Sequence, residues 1–282
     1  MRSTVQGTHT LVGMAYGASA LAALERPGIL DYIEVPFEQL RHLPDAIAFT
    51  QHVPAILHCA SMSIGGFVDP EPDIVDSVIE HVALTATPWV GEHLAFMSAA
   101  PIEPGAHPTS LHYTVCPQLS NESLDRVVDN IAKLQARLPV PLILENPPQY
   151  FEMPGSTMDL VSFICALTER SDVGLLLDLS HLTIASQNMG FDLNDALDAL
   201  PLERVVEIHL SGIGEGAGAV WDDHAKLASP RTFGLLERAL GRARPRAVTL
   251  EYNWGTNFDI GDIEQHLQRV REALSAVTQP VA

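Results

Sequence analysis

Cysteine is scarce in this chain: three residues in 282, Cys59, Cys116 and Cys165. They are odd in number and far apart, and no CxxC pair occurs. A disulfide scaffold and a zinc ribbon are therefore excluded, and a reducing compartment fits. Positive charge is scarce as well. Lys and Arg number 16 against 35 Asp and Glu, a net charge of −19. Such a surface repels phosphate backbones and anionic lipid, which argues against nucleic-acid and membrane-surface partners. No apolar run approaches the roughly 20 residues that span a bilayer. The segment Met1–His9 lacks the apolar core of a signal peptide. A cytoplasmic protein is expected. Disorder is excluded by a composition that is 46% hydrophobic and only 18% charged. No Pro-, Gly- or Ser-rich linker divides the chain, so one domain over residues 1–282 is expected.

What the chain does have is a repeating unit: a short aliphatic run, a polar loop, then an amphipathic stretch. The runs are Thr10–Met14, Asp31–Pro36, Ala55–Cys59, Trp89–His93, Leu142–Glu145, Gly174–Asp178, Val205–His209 and Ala247–Glu251. Each is almost continuously apolar, as parallel strands covered on both faces are. The stretches between carry helical periodicity; Leu124, Val127, Val128, Ile131, Leu134 and Leu138 fall on one face, with Ser120 or Asn121 as cap. Ser156 with Asp159 reads as a capping box opening the helix at Leu160–Leu167. Eight strands alternating with helices predict a (β/α)8 TIM barrel. An open nucleotide-binding sheet would want GxGxxG after its first strand, and Gly13 and Gly17 do not supply it. The post-strand loops Met97–Leu119, Asn146–Met158 and Ser211–Ser229 are long, and in a barrel they surround the substrate. The glycines from Gly212 to Gly218 suit a movable lid.

The polar residues cluster at strand ends: His58; Glu92 and His93; Glu145 and Asn146; Asp178 and His181; His209; Glu251. Asp222 and His224 lie between the last two strands. Strand C-termini converge on one face of a barrel. Taken singly, each residue has a plain structural reading. His58 and His93 suit core histidines, Glu145 half of an ion pair, Asp178 a helix cap, and Asp222 a solvated charge. Taken together they do not, because Glu145, Asp178 and Glu251 would repel one another once desolvated, and no strand carries a Lys or Arg. Cations resolve that repulsion. The oxygen and imidazole donors suit non-haem iron, manganese or zinc, and they outnumber the needs of one ion. Glu145 and Asp178 are the natural bridges. Cys59 reads as core. Cys116 lies in a long loop that can expose it.

The ordered set LDYIEVPFE, LHCASMSIGG, GEHLAF, LILENPPQY, LLLDLSHLTIASQN, RVVEIHLSG, DDH and LEYN resembles the multinuclear non-haem iron-dependent oxidative enzymes from Gly13 to Glu251. The resemblance implies a xylose-isomerase-like barrel holding two or three irons, Fe2+ or Fe3+, with dioxygen as co-substrate. It implies action on a cysteine-containing, ribosomally made precursor peptide, aided by a small partner protein that recognises the leader. Known chemistries of that family are conversion of cysteine to an oxazolone–thioamide pair and excision of a cysteine β-carbon. Carried over by motif, one iron takes His58, His93 and Glu145; a second takes Glu145, Asp178, His209 and Glu251. A third takes His181, Asp222 and His224, with Asp178 or solvent as bridge. Glu145, Asp178 and His209 are then the catalytic residues. Many family members have Asn where this chain has His181.

Three other readings compete. A divalent-metal sugar isomerase or epimerase shares the strand-end carboxylates but has no use for His58 and His93 and is indifferent to oxygen. A three-zinc barrel endonuclease shares the donor count, and the charge of −19 argues against it. A metal-binding scaffold barrel would show no open coordination position towards added thiol.

Overall fold

A computed structural model of the chain describes residues 9–42, 50, 52–70, 72–99, 109–216, 218–253, 255–256 and 258–278. Residues 1–8, and 100–108 within the long loop after His93, lie outside the described residues. Eight parallel strands close into a barrel: β1 (Leu11–Ala15), β2 (Tyr32–Pro36), β3 (Ala55–Cys59), β4 (Val90–His93), β7 (Leu142–Glu145), β8 (Gly174–Asp178), β9 (Val205–Leu210) and β12 (Ala247–Leu250). The intervening numbers belong to two antiparallel hairpins, β5 (Phe96–Ala99) with β6 (Thr109–Val115), and β10 (Gly214–Gly216) with β11 (Ala219–Trp221). Each apolar run read from the sequence is a barrel strand, with its ends shifted by one residue at most. Closure comes from β1, which pairs with both β12 and β2.

The helices lie outside the barrel: α1 (Ala18–Leu24), α2 (Phe37–His42), α3 (Pro72–Thr85), α4 (Asn121–Gln135), α5 (Leu160–Arg170), α6 (Leu179–Met189), α7 (Leu193–Ala199), α8 (Pro230–Leu240) and α9 (Ile260–Thr278). Their apolar stripes and the outward strand residues form one continuous core. The Ser120 hydroxyl caps α4 by accepting from the Ser123 N–H. The cap of α5 is Asp159 rather than Ser156: its carboxylate accepts the Ser162 N–H at 2.9 Å. Ser156 instead faces the preceding loop, donating to Met153 O and accepting from Leu119 N. Side-chain polarity alone does not say which of two neighbouring caps the chain turns on.

Inside the barrel the strand period of two sorts side chains into layers. The lower layer is Tyr32, Ile56, Trp89, Ile143, Leu176 and Ala247, all buried. Two residues further along the same strands stand Glu34, His58, Gly91, Glu145, Asp178 and Thr249. Glu207 sits at the lower level and His209 above it. Two glycines make room for rings at these levels. A Cβ at Gly13 would stand 2.6 Å from the Tyr32 ring, and one at Gly91 2.7 Å from His58 Nδ1. Gly214 and Gly216 lie in β10 of the β10–β11 hairpin, and Gly218, at φ +81, stands just before β11. Cys59 and Cys116 are both buried, so Cys116 is not the exposed loop thiol its position allowed.

Candidate metal centre

The nine residues singled out from the sequence meet at the C-terminal mouth of the barrel. Their donor atoms fall into three groups, each within 4.8 Å: His58, His93 and Glu145; Glu145, Asp178, His209 and Glu251; His181, Asp222 and His224. Glu145 is the hinge of the set. Its Oε2 lies 3.1 Å from both His58 Nε2 and His93 Nε2, and its Oε1 lies 3.2 Å from His181 Nδ1 and 3.6 Å from His209 Nδ1. Glu251 Oε2 stands 2.9 Å from His209 Nδ1, and its Oε1 3.6 Å from His224 Nε2. Asp222 Oδ2 joins His181 Nε2 at 3.1 Å and His224 Nε2 at 2.9 Å.

Local structure explains each placement. His58, His93 and Glu145 come from β3, β4 and β7, where strand alternation turns them inward. The His93 ring is turned by its Nδ1, 3.4 Å from the Cys59 carbonyl. Asp178 ends β8 and caps α6: its Oδ1 accepts the His181 N–H at 2.6 Å, which puts His181 in the first turn beside it. The cap and the site are thus one arrangement. Asn146 clips β7 to β8. Its amide donates to Asp178 O and accepts from Asp178 N, both at 2.9 Å, and its own carbonyl meets His181 Nδ1 at 3.0 Å. The Asp222–His224 segment is not plain extended chain. His224 takes φ +50, which folds its ring back over Asp222. Asn253, just past β12, holds that turn by donating to Asp223 O and to His224 O. The Tyr150 hydroxyl accepts from the Asp222 N–H and from the Tyr113 hydroxyl.

The site's chemistry fits cations. Both oxygens of Glu145, both nitrogens of His58, Asp178 Oδ2, Asp222 Oδ1 and His224 Nδ1 are buried without a hydrogen-bond partner. Imidazole and carboxylate stand 3.1 Å apart yet lack the alignment of a hydrogen bond, as donors aimed at a shared third point do. Among the protein groups alone, protons take the balancing role. Burial raises the Glu145 pKa, but His93, His181 and His58 outweigh it and bring it to about 2. Burial lowers the His58 pKa, and Glu145 drives it up to about 10. His224 also reaches about 10, burial again being overcome by Glu251 and Asp222. Burial pushes Asp178 up to about 6. A bound cation displaces such protons.

Two buried carboxylates near the centre were not expected from the sequence. Glu34 on β2 meets His209 Nε2 at 2.8 Å, and Glu207 on β9 lies 3.7 Å from the same nitrogen. The signal was present: each is the lone charge in an otherwise apolar strand, and Glu207 precedes His209 by the strand period. Glu92, noted beside His93, faces the other way and holds the loop after β3 by accepting from Met62 N and His93 N.

Residues 11–276 match the model of the family described as the RiPP precursor modification enzyme MbnB/TglH/ChrH. The chain belongs to that family. RiPP denotes a ribosomally synthesised and post-translationally modified peptide. A UPF0276 protein of Streptomyces avermitilis is 29% identical over 273 residues, covering 93% of this chain and 54% of its own length. The chain therefore spans about half the length of that relative. Endonuclease IV from Thermus thermophilus superposes with TM-score 0.57 at 18% identity, over 94% of this chain and 99% of that one. A xylose isomerase domain protein from Alicyclobacillus acidocaldarius gives TM-score 0.57 at 18% identity, over 95% and 100%. These likenesses establish the fold of this MbnB/TglH/ChrH family member, a xylose-isomerase-like TIM barrel. Among the described residues no helix is long and apolar enough to cross a membrane.

Proposed function

We propose that this chain carries out an iron- and dioxygen-dependent oxidation of cysteine residues in a ribosomally synthesised precursor peptide, delivered by a small leader-recognition protein. The observation that carries this reading is the set of three donor groups, two of them joined by Glu145, in a member of a peptide-modifying enzyme family. His58, His93 and Glu145 would hold one ion; Glu145, Asp178, His209 and Glu251 a second; His181, Asp222 and His224 a third. Iron bound there supplies redox equivalents and exchangeable positions that accept a thiolate. The chain's own residues do the rest. Glu145 ties the first two groups together. Asp178 and Asn146 lock the first turn of α6, so that His181 keeps its place. Tyr150 steadies Asp222 from the loop side. Complete burial of Glu145, Asp178 and His209 keeps water from the inner groups, while the partly exposed Asp222, His224 and Glu251 mark the side open to the peptide.

An oxygen electrode tests this reading, with product followed by mass spectrometry. Precursor peptide should drive oxygen uptake, and its Cys→Ser variant should not. Equal product under argon, or equal uptake with the Cys→Ser peptide, overturns the reading and favours a redox-neutral isomerase or epimerase. Adding the leader-recognition partner should accelerate turnover; full activity of the isolated chain on a leaderless peptide removes the partner from the scheme.

A further inference from the structure

The five histidines of the centre do not present the same ring nitrogen. His58, His93 and His224 point Nε2 at the carboxylates they meet. His181 does so towards Asp222, with its Nδ1 held 3.0 Å from the Asn146 carbonyl. His209 is reversed. Its Nδ1 faces Glu251 at 2.9 Å and Glu145 at 3.6 Å, and its Nε2 faces Glu34 Oε2 at 2.8 Å. A neutral imidazole has one N–H and one lone pair. With the N–H on Nε2 and donated to Glu34, the lone pair on Nδ1 faces the middle donor group.

We propose that Glu34 is the positioning residue of the middle group: its carboxylate takes the Nε2–H of His209 and so fixes both the tautomer and the tilt of that ring. The inference rests on the iron reading of the centre. A carboxylate behind a metal-bound histidine orients the ring and raises its donor strength. A backbone carbonyl backs His93 and His181; the middle group receives a full carboxylate. The work falls to Glu34 and not to Glu207. The Glu207 oxygens are taken by two donors of the lower layer, Trp89 Nε1 at 2.8 Å and the Tyr32 hydroxyl at 3.4 Å, and by Thr249 Oγ1 of the upper layer at 2.8 Å. The same donors argue against a further cation between Glu34, Glu207 and His209, although their atoms lie close enough for one. Glu207 instead forms a fixed floor under the pair.

The test is an anaerobic titration of wild type, E34Q and H209A with ferrous ion, counted by elemental analysis, and a parallel titration with Co2+ read by its visible spectrum. The glutamine keeps the shape of Glu34, and far-UV circular dichroism checks that each variant is folded. E34Q should weaken one ion about ten- to hundred-fold and shift the bands of one cobalt ion, leaving the others as in wild type. In an H209A background the same change should add nothing, because Glu34 acts through that ring. Identical affinities and cobalt spectra in wild type and E34Q overturn the inference. So does loss of an additional ion in E34Q while H209A/E34Q falls below H209A, since Glu34 would then itself be a ligand. Wild type that takes up neither ion overturns the reading of the centre, and the inference with it.

Discussion

The lower and upper halves of the barrel interior are built by the same eight strands, one strand period apart, and they obey opposite rules. Below, Tyr32, Ile56, Trp89, Ile143, Leu176 and Ala247 fill the space with apolar volume. Above, Glu34, His58, Glu145, Asp178 and His209 are equally buried but carry charge and unpartnered atoms. Burial of those apolar side chains stabilises the fold, and Glu207, the carboxylate at their level, has its oxygens met by Trp89, Thr249 and Tyr32. Burial costs the upper layer desolvation at every group, which only opposite charge or a cation offsets. The comparison teaches that the barrel's stability is seated below and its chemistry above. Trp89 and Thr249 join the two through Glu207.

The sharpest way to break that division is at Glu145. Glu145→Gln replaces a bridging carboxylate with a weakly coordinating amide, so ions should be lost from two groups together and turnover should fall more than ~100-fold. The melting curve of the chelated protein should be little changed. Elemental analysis and calorimetry read the two effects; wild-type ion content in the variant would break the assignment. The reverse experiment is Leu176→Ala or Ile143→Ala in the lower layer. Each should cost about 2–5 kcal/mol in denaturant unfolding, with ion content per folded chain unchanged. Loss of ions at full stability would show that the layers are not separable.

Gly91→Ala lies on the boundary. Its Cβ would meet His58 Nδ1 at 2.7 Å, so the ring must shift. We expect a stability loss of about 1–3 kcal/mol together with weaker binding at the His58, His93 and Glu145 group alone, read by ion titration and unfolding. The centre's pH response follows from its charges. His58 and His224, held up to about 10 by neighbouring carboxylates, are protonated at neutral pH and must shed protons to take an ion. Ion affinity should therefore fall as pH falls, with proton release on loading measurable in weak buffer. The smallest effect belongs outside the barrel. Asp159→Ala removes the cap of α5 and should cost about 1 kcal/mol in unfolding, with ion content untouched.

Much of the candidate centre is legible in the sequence, because ligand-type residues at strand ends interrupt apolar runs. His58, His93, Glu145, Asp178, His209 and Glu251 all carried that mark. Asp222 and His224 were legible as a spaced pair, but their geometry was not, since it depends on a left-handed turn at His224 held by Asn253. Glu34 and Glu207 were passed over because a lone carboxylate inside a strand has no visible partner in one dimension.

Sequence alone determined the eight-strand alternation, the barrel and the face on which chemistry gathers. Strand period, helix period and loop length are local quantities that need no knowledge of the rest of the chain. Only the tertiary structure decided that Glu145 stands between four imidazoles, that Asn146 clips two strands, and that His209 turns its Nδ1 to Glu251 and its Nε2 to Glu34. Those facts join residues as far apart as 175 positions, and closing the barrel is what brings them within a hydrogen bond of each other.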